Sequence, residues 1–135
     1  MTRDTVLQAT QQWALERLTE PLTVDAMARH ANTSARHFTR RFHAEFGVTP
    51  LRWLLQERVR LAQRLLEQTD LTIQRIAERT GLGSAVSLRR NFVEVVGTTP
   101  LGYRQTFRGS AGSAASTAPG ERTTGATRTR PLAKR

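Results

Sequence analysis

A chain of 135 residues has room for one domain of ordinary size, or for two very small units that share an element. It contains no cysteine, which excludes disulfide frameworks, thiolate nucleophiles and cysteine zinc sites and favours a reducing compartment such as the cytoplasm. Its formal net charge of +10 favours a polyanionic partner. No run approaches the roughly 20 apolar residues of a membrane span, so no membrane association is expected.

Apolar residues recur at helical spacing, and no alternating stretch is long enough to form a strand, so the predicted fold class is all-α. Serine and threonine caps and N-terminal prolines mark where helices begin, and Gly47 ends one helix at a position suited to a left-handed residue. The seven predicted helices cover residues 4–18, 23–30, 34–46, 50–67, 72–80, 84–96 and 100–107.

Two of these helices carry clear apolar stripes. The first is amphipathic, with Leu7, Ala14 and Leu18 on one stripe and Trp13 at its edge. The long fourth helix has a wide apolar stripe that is expected to face inward. That stripe comprises Leu51, Leu54, Leu55, Leu61, Ala62, Leu65 and Leu66.

Part of the chain repeats itself. With an offset of 49, Leu22, Thr23 and Ala28 recur as Leu71, Thr72 and Ala77. With an offset of 50, Arg40, Phe42, Gly47 and Pro50 recur as Arg90, Phe92, Gly97 and Pro100, so one residue is added in the second loop. Each copy reads as a short helix, a tight turn, a longer arginine-bearing helix and a Gly-X-Thr-Pro stop. The repeat predicts two helix-turn-helix units, at about 22–47 and 71–97, joined by a linker helix at about 50–67.

The third helix has two chemically different sides. Its phenylalanines recur every four residues, whereas Arg36 and Arg40 fall about 200° from Phe38 or Phe42. A helix with its phenylalanines in a core therefore holds two guanidinium groups outward, where they suit guanine edges in a major groove. A merely solvated basic face is the alternative interpretation for this helix taken alone.

The equivalent helix of the second unit favours DNA contact over a solvated basic face. Its inner side is predicted to hold Leu88 and Phe92, which leaves Arg89, Arg90 and Val86 outward. Valine is an unusual choice for a solvated surface but suits contact with a thymine methyl group. The paired helices therefore indicate a protein that reads duplex DNA.

The composition changes abruptly after Arg108. Residues 109–135 are rich in Gly, Ala, Ser and Thr and lack aromatic residues, so they cannot bury enough surface to offset the entropy of ordering. The sequence predicts a disordered basic tail with a net charge of +4, which leaves +6 on residues 1–108.

Catalytic and metal chemistry have little support. His30, His37 and His43 share no ligand spacing and have no acidic pair beside them, so solvent-facing histidines are expected. The serines have no neighbouring His/Asp arrangement that would indicate a catalytic triad. We therefore expect no catalytic residue, no metal site and no cofactor.

Residues 22–108 resemble the DNA-binding domain of the AraC/XylS family, in which a long helix joins two helix-turn-helix units. The matching residues are Ala28, Phe38, Arg40, Phe42, Gly47, Pro50, Ile76, Ala77, Gly81, Arg90, Phe92, Gly97, Pro100 and Tyr103. The segment 81–90 is similar to the branch in which this domain follows a glutamine-amidotransferase-like sensor domain, which these 135 residues lack. The resemblance leaves open a fragment of a larger regulator or a single-domain member.

The resemblance also implies where DNA is contacted. The predicted base-contacting residues are Ala35, Arg36, Thr39, Arg40, Ala85, Val86, Arg89 and Arg90. The predicted phosphate-contacting residues are Ser34, Arg41, His43 and Ser84. Leu82 and Leu88 stand where the family usually has aromatic residues, which keeps the core apolar but leaves its packing to be established.

The sequence thus predicts an AraC-type DNA-binding domain over residues 1–108 that acts as a transcription regulator, with activation as the expected mode. Double-stranded DNA is the expected partner, the chain is expected to bind as a monomer, and RNA polymerase is a further candidate partner. The main alternative is a nonspecific architectural DNA-binding protein, which the charge alone would satisfy, and a helical protein-interaction module is another. An enzyme is not expected, because DNA-repair regulators with this domain need a cysteine methyl acceptor that the chain lacks.

Overall fold

A computed structural model of the chain describes the backbone of residues 2–116 and the side chains of residues 5–110. In that part of the chain it contains seven helices and no strand, which confirms the predicted all-α class. The helices are α1 (Thr2–Leu15), α2 (Val24–His30), α3 (Ala35–Phe46), α4 (Pro50–Gln68), α5 (Ile73–Thr80), α6 (Ala85–Val96) and α7 (Pro100–Ser116). None of these described helices is long and apolar enough to cross a membrane.

Five helices begin at a hydroxyl cap; the sequence predicted four of these starts, at Thr23, Ser34, Thr72 and Ser84, but did not predict the cap at Thr49. In each, the side-chain oxygen of the capping residue accepts a hydrogen bond from the backbone N–H three residues further on. Such a bond satisfies a donor that the helix itself leaves unpaired and stabilises the helix by about 1 kcal/mol. The caps are Thr23, Ser34, Thr49, Thr72 and Ser84.

The linker helix α4 belongs to two hydrophobic cores. The first core contains Leu7, Ala14, Leu18, Met27, Ala28, Phe38, Phe42, Trp53 and Leu54. The second contains Val59, Ala62, Leu66, Ile76, Ala77, Leu82, Leu88 and Phe92. The buried residues in the first half of α4 complete the core of α1 to α3, and those in its second half complete the core of α5 to α7. The half-buried Leu55 and Leu61 overlap this division, since Leu55 packs on the second core and Leu61 on the first. The arrangement is two four-helix units that share one helix.

One residue of the predicted apolar stripe is exposed in the structure instead of buried. Leu51 is 57% exposed. The buried side of the first turn of α4 is formed by Pro50, Trp53 and Leu54, and at 100° per residue Leu51 lies about 100° from the middle of that side. The expectation that Leu51 faces inward was wrong, whereas Leu54, Ala62 and Leu66 are buried as expected.

Two helix ends also differ from the sequence prediction. Helix α1 ends at Leu15 and is followed by turns, although Leu18 is buried as expected. Helix α7 continues to Ser116, so the prediction that this helix ends near residue 107 was wrong. Three alanines in residues 109–116 favour helix, and extending an existing helix is easier than nucleating one. The rest of the predicted tail, 117–135, lies outside the described residues.

Candidate nucleic-acid interface

Helix α3 presents a basic outer side because aromatic packing fixes its inner side. Phe38 and Phe42 are fully buried, and the Phe42 ring lies 5.7 Å from the ring of Trp53 on α4. On the other side Arg36 and Arg40 are exposed, and Arg40 Nη2 lies 3.4 Å from His37 Nδ1. Both guanidinium groups are therefore accessible to a large partner.

Helix α6 repeats this arrangement in the second unit. Leu88 and Phe92 are fully buried, and the Phe92 ring lies 5.5 Å from the ring of Tyr103 on α7. Val86 is 61% exposed, and both Arg89 and Arg90 are exposed as well. An exposed valine on the same helix as exposed arginines is suited to a partner that has both charge and methyl groups.

The turns between the helices of each unit are built differently. Asn32 in the first turn has a φ of 60°, and Gly81 at the equivalent position of the second turn has a φ of 83°. The second turn also contains the added residue, Gly83, with a φ of 90°. The two units thus share a left-handed turn residue, although only the second uses glycine there.

The eight predicted base-contacting residues all lie at or near the surface of α3 and α6, but not equally so. The four arginines and Val86 are exposed, whereas Thr39, Ala35 and Ala85 are half-buried. Ala35 also packs partly against the first core, so less of its surface is available to a partner.

The predicted phosphate-contacting residues lie beside these. Ser34 Oγ and Ser84 Oγ each accept a capping hydrogen bond, at 3.1 Å, from the N–H of His37 and Ser87. A hydroxyl that accepts a bond can still donate its own proton to a phosphate oxygen. His43 is exposed and Arg41 is half-buried.

The ion pairs among the described side chains do not include the outer arginines of α3 and α6, although one pair reaches α6 through Glu94. They join Arg17 to Glu16, Arg52 to Glu94, Arg60 to Glu57, Arg75 to Glu78 and Arg108 to Asp70. The charges of Arg36, Arg40, Arg89 and Arg90 are therefore not neutralised by any of these pairs. This distribution favours an external anion as their partner.

Three other arginines have a structural role that the sequence did not reveal. Arg58 is 8% exposed; its Nε donates to the carbonyl of Leu18 at 3.0 Å and its Nη2 to the carbonyl of Glu20 at 2.9 Å. Burial lowers the pKa of Arg58 from its ordinary value. A signal was present, because position 58 lies on the line of buried residues 54, 62 and 66, four residues apart along α4.

Arg104 and Arg108 bind backbone carbonyls in a similar way in the second unit. The Arg104 Nε donates to the Leu66 carbonyl at 3.1 Å and its Nη2 donates to the Thr69 carbonyl at 3.0 Å. Arg108 donates to Asp70 at 2.7 Å, and this bond holds the pKa of the Asp70 carboxyl below its ordinary value. These arginines satisfy carbonyls at the end of α4 and attach α7 to it.

The histidines and acidic residues do not form a metal centre. Within the described residues no group of three or more His, Cys, Asp or Glu side chains is placed to hold a metal ion. His30 is exposed, as expected, but it also stacks on Trp13 at 4.5 Å, and its Nδ1 lies 2.9 Å from Thr10 Oγ1. That histidine joins α1 to α2.

Two helix-turn-helix units with basic outer helices define a DNA-binding protein of the helix-turn-helix class. Residues 27–106 match the model of a helix-turn-helix domain family, and solved AraC-type domains have the same architecture. The chain therefore belongs to the AraC-type helix-turn-helix family of transcription regulators, as its resemblance to that family implied.

The sequence relatives are transcriptional regulators. The HTH-type transcriptional regulator Rv1931c of Mycobacterium tuberculosis is 42% identical over 84 residues, which cover 62% of this chain and 32% of the relative. The HTH-type transcriptional regulator GlxA of Rhizobium meliloti is 38% identical over 92 residues, covering 68% of this chain and 28% of the relative. The chain thus spans about a third of the length of the curated relatives it matches.

The solved structures give the same assignment. The DNA-binding domain of AdpA, a global transcriptional factor crystallised in complex with a target DNA, is similar with a TM-score of 0.74 and 41% identity. The match covers 77% of this chain and 94% of that domain. The C-terminal domain of AraT, a response regulator from Geobacillus stearothermophilus, matches with a TM-score of 0.72 and 27% identity, over 75% of this chain and 84% of the other. These relatives are transcriptional regulators, and the matched solved structures are regulatory domains of the same fold.

Proposed function

We propose that this domain binds DNA in a sequence-specific manner by placing α3 and α6 in two adjacent major-groove segments. The observation that carries the proposal is the same in both units. Each helix buries an aromatic residue on one side and exposes arginines on the other, and these arginines take no part in the described ion pairs. The similarity to a domain crystallised with target DNA supports it independently.

The outer residues suggest how the two segments are distinguished. Arg36, Thr39 and Arg40 would read one segment, and Arg89 and Arg90 with Val86 would read the other. Arginine forms paired hydrogen bonds with guanine O6 and N7, whereas valine contacts the methyl group of thymine. The two half-sites are therefore expected to differ, and one chain is expected to occupy both.

Phosphate contacts would set the position of the domain on the duplex. The hydroxyls of Ser34 and Ser84 lie at the N-termini of α3 and α6, where backbone N–H groups and the helix dipole favour an anion. Arg41 and His43 flank the same surface. These contacts carry no base information, so they add affinity for every sequence.

A nonspecific architectural DNA-binding protein remains the alternative, because a net charge of +10 by itself provides affinity for DNA. The discriminating quantity is the ratio of affinities for a selected site and for random duplex at one salt concentration. We expect a ratio of at least about 10³, which is typical of specific readers. Selection of bound duplexes from a random pool, followed by sequencing, supplies the site.

Three arginine variants then test direct readout. Arg40→Ala and Arg90→Ala should each cost about 1 to 3 kcal/mol on the selected site and relax the preference at particular base pairs. Arg41→Ala removes the same charge from the flank of α3 and should weaken selected and random duplexes alike. Equal losses on both kinds of duplex for all three variants would contradict the proposal.

The family resemblance extends the proposal to transcription activation through RNA polymerase, in the cytoplasm. A reporter promoter with the selected site upstream, assayed in vitro with purified polymerase, tests this extension. Increased transcription that depends on both the site and the chain supports activation. Decreased transcription would make the domain a repressor without changing the DNA-reading proposal.

A further inference from the structure

The boundary between the two cores is held by one buried arginine. Among the buried residues of α4, Leu54 is the last that belongs to the first core and Val59 is the first that belongs to the second, and Arg58 lies between them along the helix. Its guanidinium group binds the carbonyls of Leu18 and Glu20, which belong to the segment leading from α1 to α2 in the first unit. Arg58 thus attaches the first unit to the start of the second half of α4.

The turn of the second unit also contacts Leu18 and Arg58, through Gly81. A Cβ atom built on Gly81 would lie 2.1 Å from the carbonyl oxygen of Leu18 and 2.7 Å from Arg58 Nε. The backbone of Gly81 therefore packs directly on both groups. Leu18, Arg58 and Gly81, which we call the junction, bring together the first unit, the linker helix and the turn of the second unit.

The first unit shows that the left-handed conformation alone does not demand glycine here. Asn32 occupies the equivalent position with a φ of 60° and retains its side chain. Asparagine is one of the residues that tolerate this conformation. The difference at Gly81 is the close approach of the Leu18 carbonyl and Arg58, which leaves no room for a Cβ atom.

We propose that the junction of Leu18, Arg58 and Gly81 fixes the orientation of the two helix-turn-helix units relative to each other, and thereby sets the spacing and register of the two DNA half-sites. Arg58 and Gly81 are then positioning residues that never contact DNA. The part of this inference that concerns DNA rests on the proposed two-segment readout. The part that concerns the orientation of the units does not.

Gly81→Asn and Arg58→Met perturb the junction in independent ways. Asparagine accepts a positive φ, so Gly81→Asn tests the close approach more than the backbone strain. Methionine keeps an unbranched apolar stem while removing the donors to Leu18 and Glu20. Two variants serve as matched controls. Gly83→Asn places the same residue at a φ of 90° with no atom within 4 Å of its Cβ, and Arg104→Met removes similar carbonyl bonds inside the second unit alone.

The first measurement needs no DNA. Because the chain lacks cysteine, spin labels can be attached at Ala44→Cys on α3 and Val93→Cys on α6, both exposed positions outside the predicted contacts. Electron–electron resonance should give one narrow distance distribution for the labelled parent and for both controls. The two junction variants, at unchanged helicity by circular dichroism, should give a broadened or shifted distribution. An unchanged distribution in either folded junction variant would overturn the proposal.

The second measurement compares duplexes that carry both selected half-sites with duplexes in which one half-site is scrambled. The measured quantity is the ratio of the affinity for the duplex with both half-sites to the affinity for the duplex with one half-site scrambled. If only about one molecule in ten of a junction variant holds its two units in the orientation that fits both half-sites, this ratio should fall about tenfold. Base preference within each half-site should persist. A parent that gains nothing from the second half-site would refute two-segment readout, while the distance measurement would still decide the junction.

Discussion

Arginine has two separate uses at the residue scale. Arg58 and Arg104 bind backbone carbonyls, because a planar group with several fixed donors can satisfy two acceptors at once. Arg40 and Arg90 instead lie exposed on the outer sides of α3 and α6. A count of basic residues does not separate these uses, although only the second leaves the guanidinium group accessible to an external partner.

Tyr103 offers a direct test of the second core. Its hydroxyl donates to Glu67, and burial together with this bond raises the pKa of Tyr103 to about 12 from an ordinary value of 10.0. Tyr103 is the only tyrosine of the chain, so absorbance at high pH reports this group alone. We expect an apparent midpoint near 12, and a lower one in Glu67→Gln, which loses the charged acceptor.

The sign of the stability effect follows from the same shift. The folded protein holds the Tyr103 proton more tightly than the unfolded chain, so the contribution of this group is intact below pH 10 and is lost as the pH rises through about 12. Tyr103→Phe should not show this loss between those values. A midpoint at 10 in the folded parent would contradict the hydrogen bond to Glu67.

The sequence predicted the burial of single residues well where burial depends on local helical periodicity, and less well where it depends on contacts with distant parts of the chain. Phe38, Phe42 and Phe92 were placed inside because helical periodicity alone separates them from the arginines. Arg58 was missed because its partners are carbonyls 38 and 40 residues away along the chain. Leu51 was misplaced because the stripe on α4 is wider than the surface that its neighbours cover.

At the scale of the elements, helix starts were easier to predict than helix ends. A start depends on the cap and the N–H groups of the following turn, which are close in sequence, and the caps Thr23, Ser34, Thr72 and Ser84 form as expected. Helices α3 and α6 end where Gly47 and Gly97 adopt a left-handed conformation. Helices α1 and α7 have no such glycine stop, and their ends were predicted incorrectly.

The arginine-bearing helices α3 and α6 should each depend on a buried ring at equivalent positions, Phe42 and Phe92. Phe42→Ala and Phe92→Ala each leave a cavity in a fully buried site and should lower the free energy of unfolding by roughly 3 to 5 kcal/mol. Val86→Ala removes an apolar side chain from α6 that is 61% exposed, so it should change stability by less than about 0.5 kcal/mol. Urea unfolding followed by circular dichroism measures all three. A large loss for Val86→Ala would mean that this residue is part of the core.

At the scale of the whole molecule, we expect the length of α4 to limit how far apart the two half-sites can lie. Its 19 residues span roughly 28 Å at 1.5 Å per residue, somewhat less than the roughly 34 Å of one DNA turn. Inserting about five base pairs between the half-sites turns one of them to the opposite side of the duplex. Affinity should then fall toward that of a single unit, as measured by competition binding. Unchanged affinity would mean that only one unit reads DNA.

The basic tail is expected to add affinity without adding specificity. Residues 117–135 carry a net charge of +4, and each charge that neutralises a phosphate steepens the fall of affinity with salt. Deleting these residues leaves α7 intact to Ser116 and should flatten the dependence of log affinity on log salt. The selected sequence should stay the same. A changed sequence preference would show that the tail takes part in base reading.

The sharing of α4 limits how such regulators can be recombined. A chain cut before Pro50 deprives the first unit of Trp53 and Leu54, and a chain cut after Gln68 deprives the second of Val59, Ala62 and Leu66. We therefore expect neither half to fold as a portable module, although each has its own turn and its own arginine-bearing helix. In a chimaera designed to change the half-site preference, the crossover points should therefore flank α3 or α6. Helix α4 and the segment around Leu18, which touches Gly81, should then come from the same parent protein.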